Sequence, residues 1–143
     1  MIKLIKAHLA SLLIFLIIPA NAHALEDDNL EYKKWYVESI GDYKAKHLGH
    51  AKFENGKITG VSTCNIFYGI YELKGGSDIQ FFRIGVGAYD TKAICKVGNK
   101  MELEEKFIEG LEQVKTYKIE EDKLTLFEND GKEFTKFYLK KKK

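Results

Sequence analysis

Apolar and polar positions alternate along most of the chain after Trp35, and a two-residue period is the mark of half-buried strands. Residues 35–40 (WYVESI) are aromatic and β-branched and run into Gly41-Asp42. Residues 51–53 and 57–61 flank Glu54-Asn55-Gly56. Asn-Gly tolerates positive φ at both positions, which a tight hairpin turn requires, so this is the clearest hairpin in the chain. Residues 68–73 and 78–84 flank a second turn at Gly75-Gly76. Residues 116–119, 124–127 and 133–139 are separated by Glu121-Asp122 and Asn129-Asp130-Gly131, the pattern of a β-meander.

One stretch has a different period. Between Asn99 and Lys115, the apolar residues Leu103, Phe107, Leu111 and Val114 recur at helical spacing and fall on one stripe. Asn99 is placed to cap the start, with Glu102 three positions later to complete a capping box. Glu105, Glu109 and Glu112 occupy the opposite, solvated face. The pattern predicts an α+β fold: a single small domain in which a curled, barrel-like antiparallel sheet of about six to eight strands carries one packed α-helix.

Residues 1–24 read as a secretory signal. Lys3 and Lys6 precede an apolar run at residues 9–18 that is shorter than the roughly 20 residues of a spanning helix, and Pro19 ends it. Ala22-His23-Ala24 has the small-x-small form that signal peptidases accept, so residues 1–24 are expected to be removed and the mature chain to begin near Leu25. No cysteine stands near that point, and a lipid anchor is not expected. The expected product is a periplasmic or secreted protein without stable membrane insertion. Residues 25–34 form an acidic leader, of which residues 25–30 are expected to be mobile, residues 35–139 the domain and residues 140–143 a basic tail.

Charge adds little to this picture. Of 23 basic and 21 acidic residues, two lysines lie in residues 1–24, so the mature chain carries 21 of each. The lysines at 140–143 read as a frayed, solvated end. With no other basic stripe and no aromatics interleaved on one, nucleic acid is not an expected partner. Tyr32, Tyr36, Tyr43, Tyr68, Tyr71 and Tyr89 read mainly as core and rim packing, with the lining of a binding surface as the alternative for some of them. Gly85-Val86-Gly87 lacks the spacing of a phosphate-binding loop and instead suggests a bend or bulge.

Several spaced motifs resemble the META domain family, which includes HslJ-like heat-inducible envelope proteins. They run in order through WYVESIG from Trp35, FENGKITG ending at Gly60, Cys64-Asn65 with Gly69 and Tyr71, and TKAIC from Thr91 to Cys95. The resemblance continues through Met101, Glu104, Phe107 and Leu111 to the strands at 117–119 and 124–126. Thr63 departs from the glycine usual before Cys-Asn, which bears on whether the backbone there has positive φ. The resemblance implies a compact β-rich domain with one helix, exported to the bacterial envelope, associated with stress tolerance and without an agreed enzymatic activity. It leads to the expectation of a non-enzymatic protein that supports envelope integrity through contacts with another envelope or secreted protein. The alternative is an inhibitor or binding module for a secreted hydrolase, with the turn at 75–78 entering the partner's cleft.

Cys64 and Cys95 are the chain's two cysteines. An even count in an exported chain makes a disulfide between them the default, closing a loop of about 30 residues for roughly 3–4 kcal/mol. Two rival chemistries use the same residues. A thiol enzyme would pair Cys64 with His47 or His50 as base and Asn65 as orienter, but adjacency of Cys64 and Asn65 does not supply that geometry. A metal site would combine His47, His50 and a cysteine, yet in an extended segment the two histidines point to opposite faces. No catalytic residue, metal or cofactor is therefore expected.

Overall fold

A computed structural model describes residues 29–46, 48–87 and 98–141. Nine strands and one helix lie among them: β1 (Lys34–Ile40), β2 (Tyr43–Lys44), β3 (His50–Glu54), β4 (Lys57–Val61), β5 (Ile66–Gly75), β6 (Asp78–Gly87), α1 (Lys100–Leu111), β7 (Val114–Glu120), β8 (Lys123–Glu128) and β9 (Glu133–Leu139). All strand pairs are antiparallel.

The sheet order is β2-β1-β3-β4-β5-β6-β7-β8-β9, and β9 pairs back onto β1, so eight strands close into a ring with β2 attached at the end of β1. The expected six to eight strands become nine because Gly41-Asp42, read as a terminator, is a tight turn. Gly41 takes φ +53°, and Tyr43 and Lys44 pair back on Ile40 and Ser39. The Asn55-Gly56 hairpin forms as its sequence predicts, with φ of 51° and 73° at the two turn residues.

Inward-facing side chains fill the ring, as the two-residue alternation requires. Trp35, Phe53, Ile58, Phe67, Leu124, Leu126 and Phe137 are fully buried. At about 1.5–3 kcal/mol for each large apolar side chain removed from water, this core is the main force holding the sheet closed. The end of the leader joins it. Leu30 is fully buried and its carbonyl accepts a hydrogen bond from Trp35 Nε1 at 2.9 Å, so residues 29–33 are packed against the domain rather than loose.

Helix α1 closes one end of the ring. Phe107 packs edge-on against Phe67 of β5 (5.1 Å between centroids) and Phe137 of β9 (6.4 Å), and stacks on Phe134 of β9 (6.3 Å). Strands β5 and β9 are four steps apart by either route around an eight-strand ring, so a side chain touching both must lie across the opening. Leu103, Phe107 and Leu111 are buried as their spacing predicts, while Val114 is buried as the first residue of β7. The capping box does not form. Asn99 has φ −85° and ψ 20°, outside the extended geometry of a side-chain cap, and makes no side-chain cap bond; Glu102 instead pairs with Lys106 at 3.0 Å.

The bulge expected at 85–87 lies slightly earlier. Tyr68 pairs with Gly85 and Ile70 with Phe82, so Gly69 alone faces Arg83 and Ile84, and Arg83 takes φ +52°.

Candidate functional site

Residues 62–65 join β4 to β5, and a helix side chain holds them in place. The Glu104 carboxylate accepts hydrogen bonds from the Ser62 hydroxyl, from the backbone N–H of Cys64 (3.2 Å) and Asn65 (2.7 Å), and from Asn65 Nδ2 (2.6 Å). Thr63 Oγ1 donates to the Lys100 carbonyl at 2.5 Å, and Ser62 N–H donates to the Asn65 carbonyl at 2.8 Å. The loop is thereby fastened to the first turns of α1 across some forty residues of sequence.

Local sequence explains the arrangement. Glu104 follows Leu103 and stands three residues before Phe107, so helical geometry puts it on the edge of the buried face rather than among the exposed glutamates. It is 5% exposed. A carboxylate taken out of water is costly unless hydrogen bonds replace its hydration, and here four donors do so. Two are backbone groups of a tight loop that would otherwise lack partners. With its oxygens so occupied, Glu104 anchors the loop to the helix.

Cys64 is buried within this knot. Cys95, Thr91, His47, Tyr89, Ala22 and Ala24 lie outside the described residues, so the expected pairing of Cys64 with Cys95 and the expected cleavage site do too. Of the proposed thiol-enzyme partners, Asn65 directs its amide to Glu104. His50 lies on the outer face of β3, packed against the ring of Tyr36 at 6.0 Å. Burial, and then the charges of Lys34, Lys52 and Lys140, lower its pKa from the ordinary value of 6.5. Among the described residues no cluster of three His, Cys, Asp or Glu side chains is placed to hold a metal ion.

The other described motif residues serve packing. Trp35 fills the core, and Phe107 plugs its end. A Cβ on Gly60 would sit 2.0 Å from the His50 carbonyl oxygen and 2.8 Å from the Phe67 ring, so only glycine lets β3 and β4 pair there. Gly69 is similarly crowded by the Ile84 side chain. Tyr71 is buried and donates its hydroxyl to the Glu31 carboxylate; burial first, and that bond second, push its pKa well above 10. Thr63 is not among the residues with positive φ, which accounts for the tolerance of a side chain where the motif usually has glycine.

Sequence periodicity missed Ser62, Thr63 and the buried role of Glu104. The available signal was a run of small hydroxyl residues before Cys-Asn, and a glutamate beside the helix stripe, but nothing in either tells which distant group it meets. The tyrosines divide between core and surface: Tyr71 is core, whereas Tyr32, Tyr43 and Tyr68 are 64%, 41% and 52% exposed. Tyr68 stands between Ile66 and Ile70 on the outer face of β5, forming an exposed apolar row. The turn at 75–78 is held to β7, with Asp78 paired to Thr116 and the Ser77 carbonyl accepting from Tyr117 N–H at 2.9 Å.

The sequence model of one family, the META domain, matches residues 28–141. No curated protein matches the sequence. Among solved structures, a DUF4847 family protein from Bacteroides vulgatus shares the fold with a TM-score of 0.57 at 15% identity, over 82% of this chain and 99% of that one. A protein from Burkholderia xenovorans does so with a TM-score of 0.59 at 15% identity, over 96% and 100%.

Proposed function

This chain belongs to the META domain family, and from that membership we propose that it is an exported, non-enzymatic protein that supports the integrity of the bacterial envelope under stress by contacting another envelope or secreted protein. The observation that carries the non-enzymatic reading is the Glu104 knot. The acid beside the motif cysteine is spent on four hydrogen bonds, and the asparagine beside that cysteine is spent on the acid. The residues of the motif act as a fastening for the helix. The contact surface is favoured by the exposed row Ile66, Tyr68 and Ile70, since contiguous apolar patches on soluble domains mark interaction sites. Export is supported by the charge, apolar run and Ala-x-Ala pattern of residues 1–24, and in an oxidising compartment Cys64 and Cys95 form the structural bridge. Inhibition of a hydrolase through residues 75–78 is less favoured, because a turn held against β7 is poorly placed to enter a cleft.

Affinity purification of the mature protein from envelope extract, run beside an Ile70→Lys variant, tests this reading. The expected result is one envelope protein retained by the parent and lost with the variant. Retention of a secreted hydrolase that the purified protein inhibits, unaffected by Ile70→Lys, would contradict it.

A further inference from the structure

A basic face with aromatic rings set into it is assembled on the outside of β9, β1 and β3, where the sequence shows no basic stripe. Register makes it. Tyr36 of β1 pairs with His50 of β3 on one side and with Tyr138 of β9 on the other, so three rings stand in a row across the strands, 6.0 and 5.8 Å apart. Lys34 pairs with Lys52 one step along. Lysine ammoniums lie over the rings: Lys140 Nζ is 4.1 Å and Lys34 Nζ 5.4 Å from the Tyr36 centroid, and Lys46 Nζ is 5.9 Å from that of Tyr138. Lys140, at the start of the basic tail, is therefore laid back onto β1. Acids lie at its margins: Glu38, further along β1, is 3.7 Å from Lys123, Glu54 stands at the far end of β3 beside the hairpin turn, and Asp122, in the β7–β8 turn, accepts through its backbone carbonyl from Leu139 N–H at 2.8 Å.

We propose that this face docks the protein peripherally onto an anionic phospholipid bilayer, with lysines over headgroup phosphates and the tyrosines at headgroup depth. Two features select a lipid surface over a nucleic acid. The cationic groups are all lysine, point charges suited to headgroups, and none is an arginine of the kind that recognises bases by paired hydrogen bonds. The charges also spread over three strands rather than along a groove, and their ammoniums cover the rings on which unpaired bases would stack. Tyrosine with lysine is the pairing found where proteins meet the membrane interface. Lys34, Lys46, Lys52 and Lys140 are all exposed. This surface is separate from the β5 row, and the inference holds whether or not the protein contacts a partner there.

The test is co-sedimentation of the mature protein, beginning at Leu25, with vesicles of phosphatidylcholine alone or mixed with phosphatidylglycerol, at low and high salt. Binding is expected only to the mixed vesicles, and is expected to fall with salt. Replacing Lys34, Lys52 and Lys140 together by Gln should weaken it on the order of a hundredfold, from about fivefold per lysine at a charged surface. Replacing them by Arg should preserve it, which separates loss of charge from loss of fold. Replacing Lys74, Lys115 and Lys118 by Gln removes equal charge elsewhere and should leave binding nearly intact. Equal losses from the two Gln triples, equal binding to neutral vesicles, or tighter binding to duplex DNA than to mixed vesicles would each overturn the proposal.

Discussion

Glu104 of the helix receives both the backbone amide and the side-chain amide of Asn65, at 2.7 and 2.6 Å, so a single carboxylate fixes both the course and the side chain of the β4–β5 loop. Removing it leaves several buried donors without partners, each costing about 1–3 kcal/mol. Glu104→Ala should therefore destabilise the protein by about 3–5 kcal/mol, as breaking a buried charged network does. A double-mutant cycle with Asn65→Ala, read by urea denaturation, should give a coupling of about 1–3 kcal/mol. Additive effects would mean the two residues do not support one another.

The plug at the end of the ring rests on Phe107, which touches strands on opposite sides. Phe107→Ala should cost about 3–5 kcal/mol and Leu111→Ala about 2–5 kcal/mol. Glu109, on the exposed side of the same helix, should change stability by less than about 0.5 kcal/mol when replaced by Ala. Thermal unfolding of the three variants checks the assignment of faces.

The helix stripe, the Asn55-Gly56 hairpin and the meander of the last three strands were legible because each is local: the period or turn chemistry of neighbouring residues decides it. Ring closure was not. The pairing of β1 with β9 joins Trp35 to Leu139, and neither segment records which edge it meets. The same limit hid the Glu104 knot, whose members are separated by about forty residues, and the basic face, whose lysines at 34, 46, 52 and 140 are scattered until register aligns them. The failed capping box at Asn99 shows the reverse case, in which a local motif is present in the sequence but the backbone at φ −85°, ψ 20° does not take the geometry that the cap needs.

Tyr71 links stability to alkaline pH. Its folded pKa is raised above the unfolded value of 10, so its contribution is fully present below pH 10 and is lost as pH rises past it. Stability of the parent should fall more steeply above pH 10 than that of Tyr71→Phe, which has no such proton to lose. Urea midpoints measured on both sides of pH 10 give the comparison, and parallel curves would contradict the burial of this hydroxyl.

His50 titrates in the opposite sense. Its folded pKa is lowered, by burial first and then by Lys34, Lys52 and Lys140, so whatever stability it contributes is present above pH 6.5 and is lost as pH falls through the folded value. An NMR titration should place His50 below 6.5, and replacing Lys34, Lys52 and Lys140 by Gln should move it upward. An unchanged midpoint in that variant would show that the lysines do not converge on this face.

That the Cys64-Asn65 stretch is a fastening and not a reactive centre is tested most directly by treating the folded, unreduced protein with an alkylating agent and mapping its peptides. Cys64 should remain unlabelled and be recovered linked to Cys95, with the bridge contributing about 2–5 kcal/mol on comparison with the double alanine variant. Rapid labelling of Cys64 in the folded state, with little loss of stability on its replacement, would contradict the account and point to thiol chemistry instead.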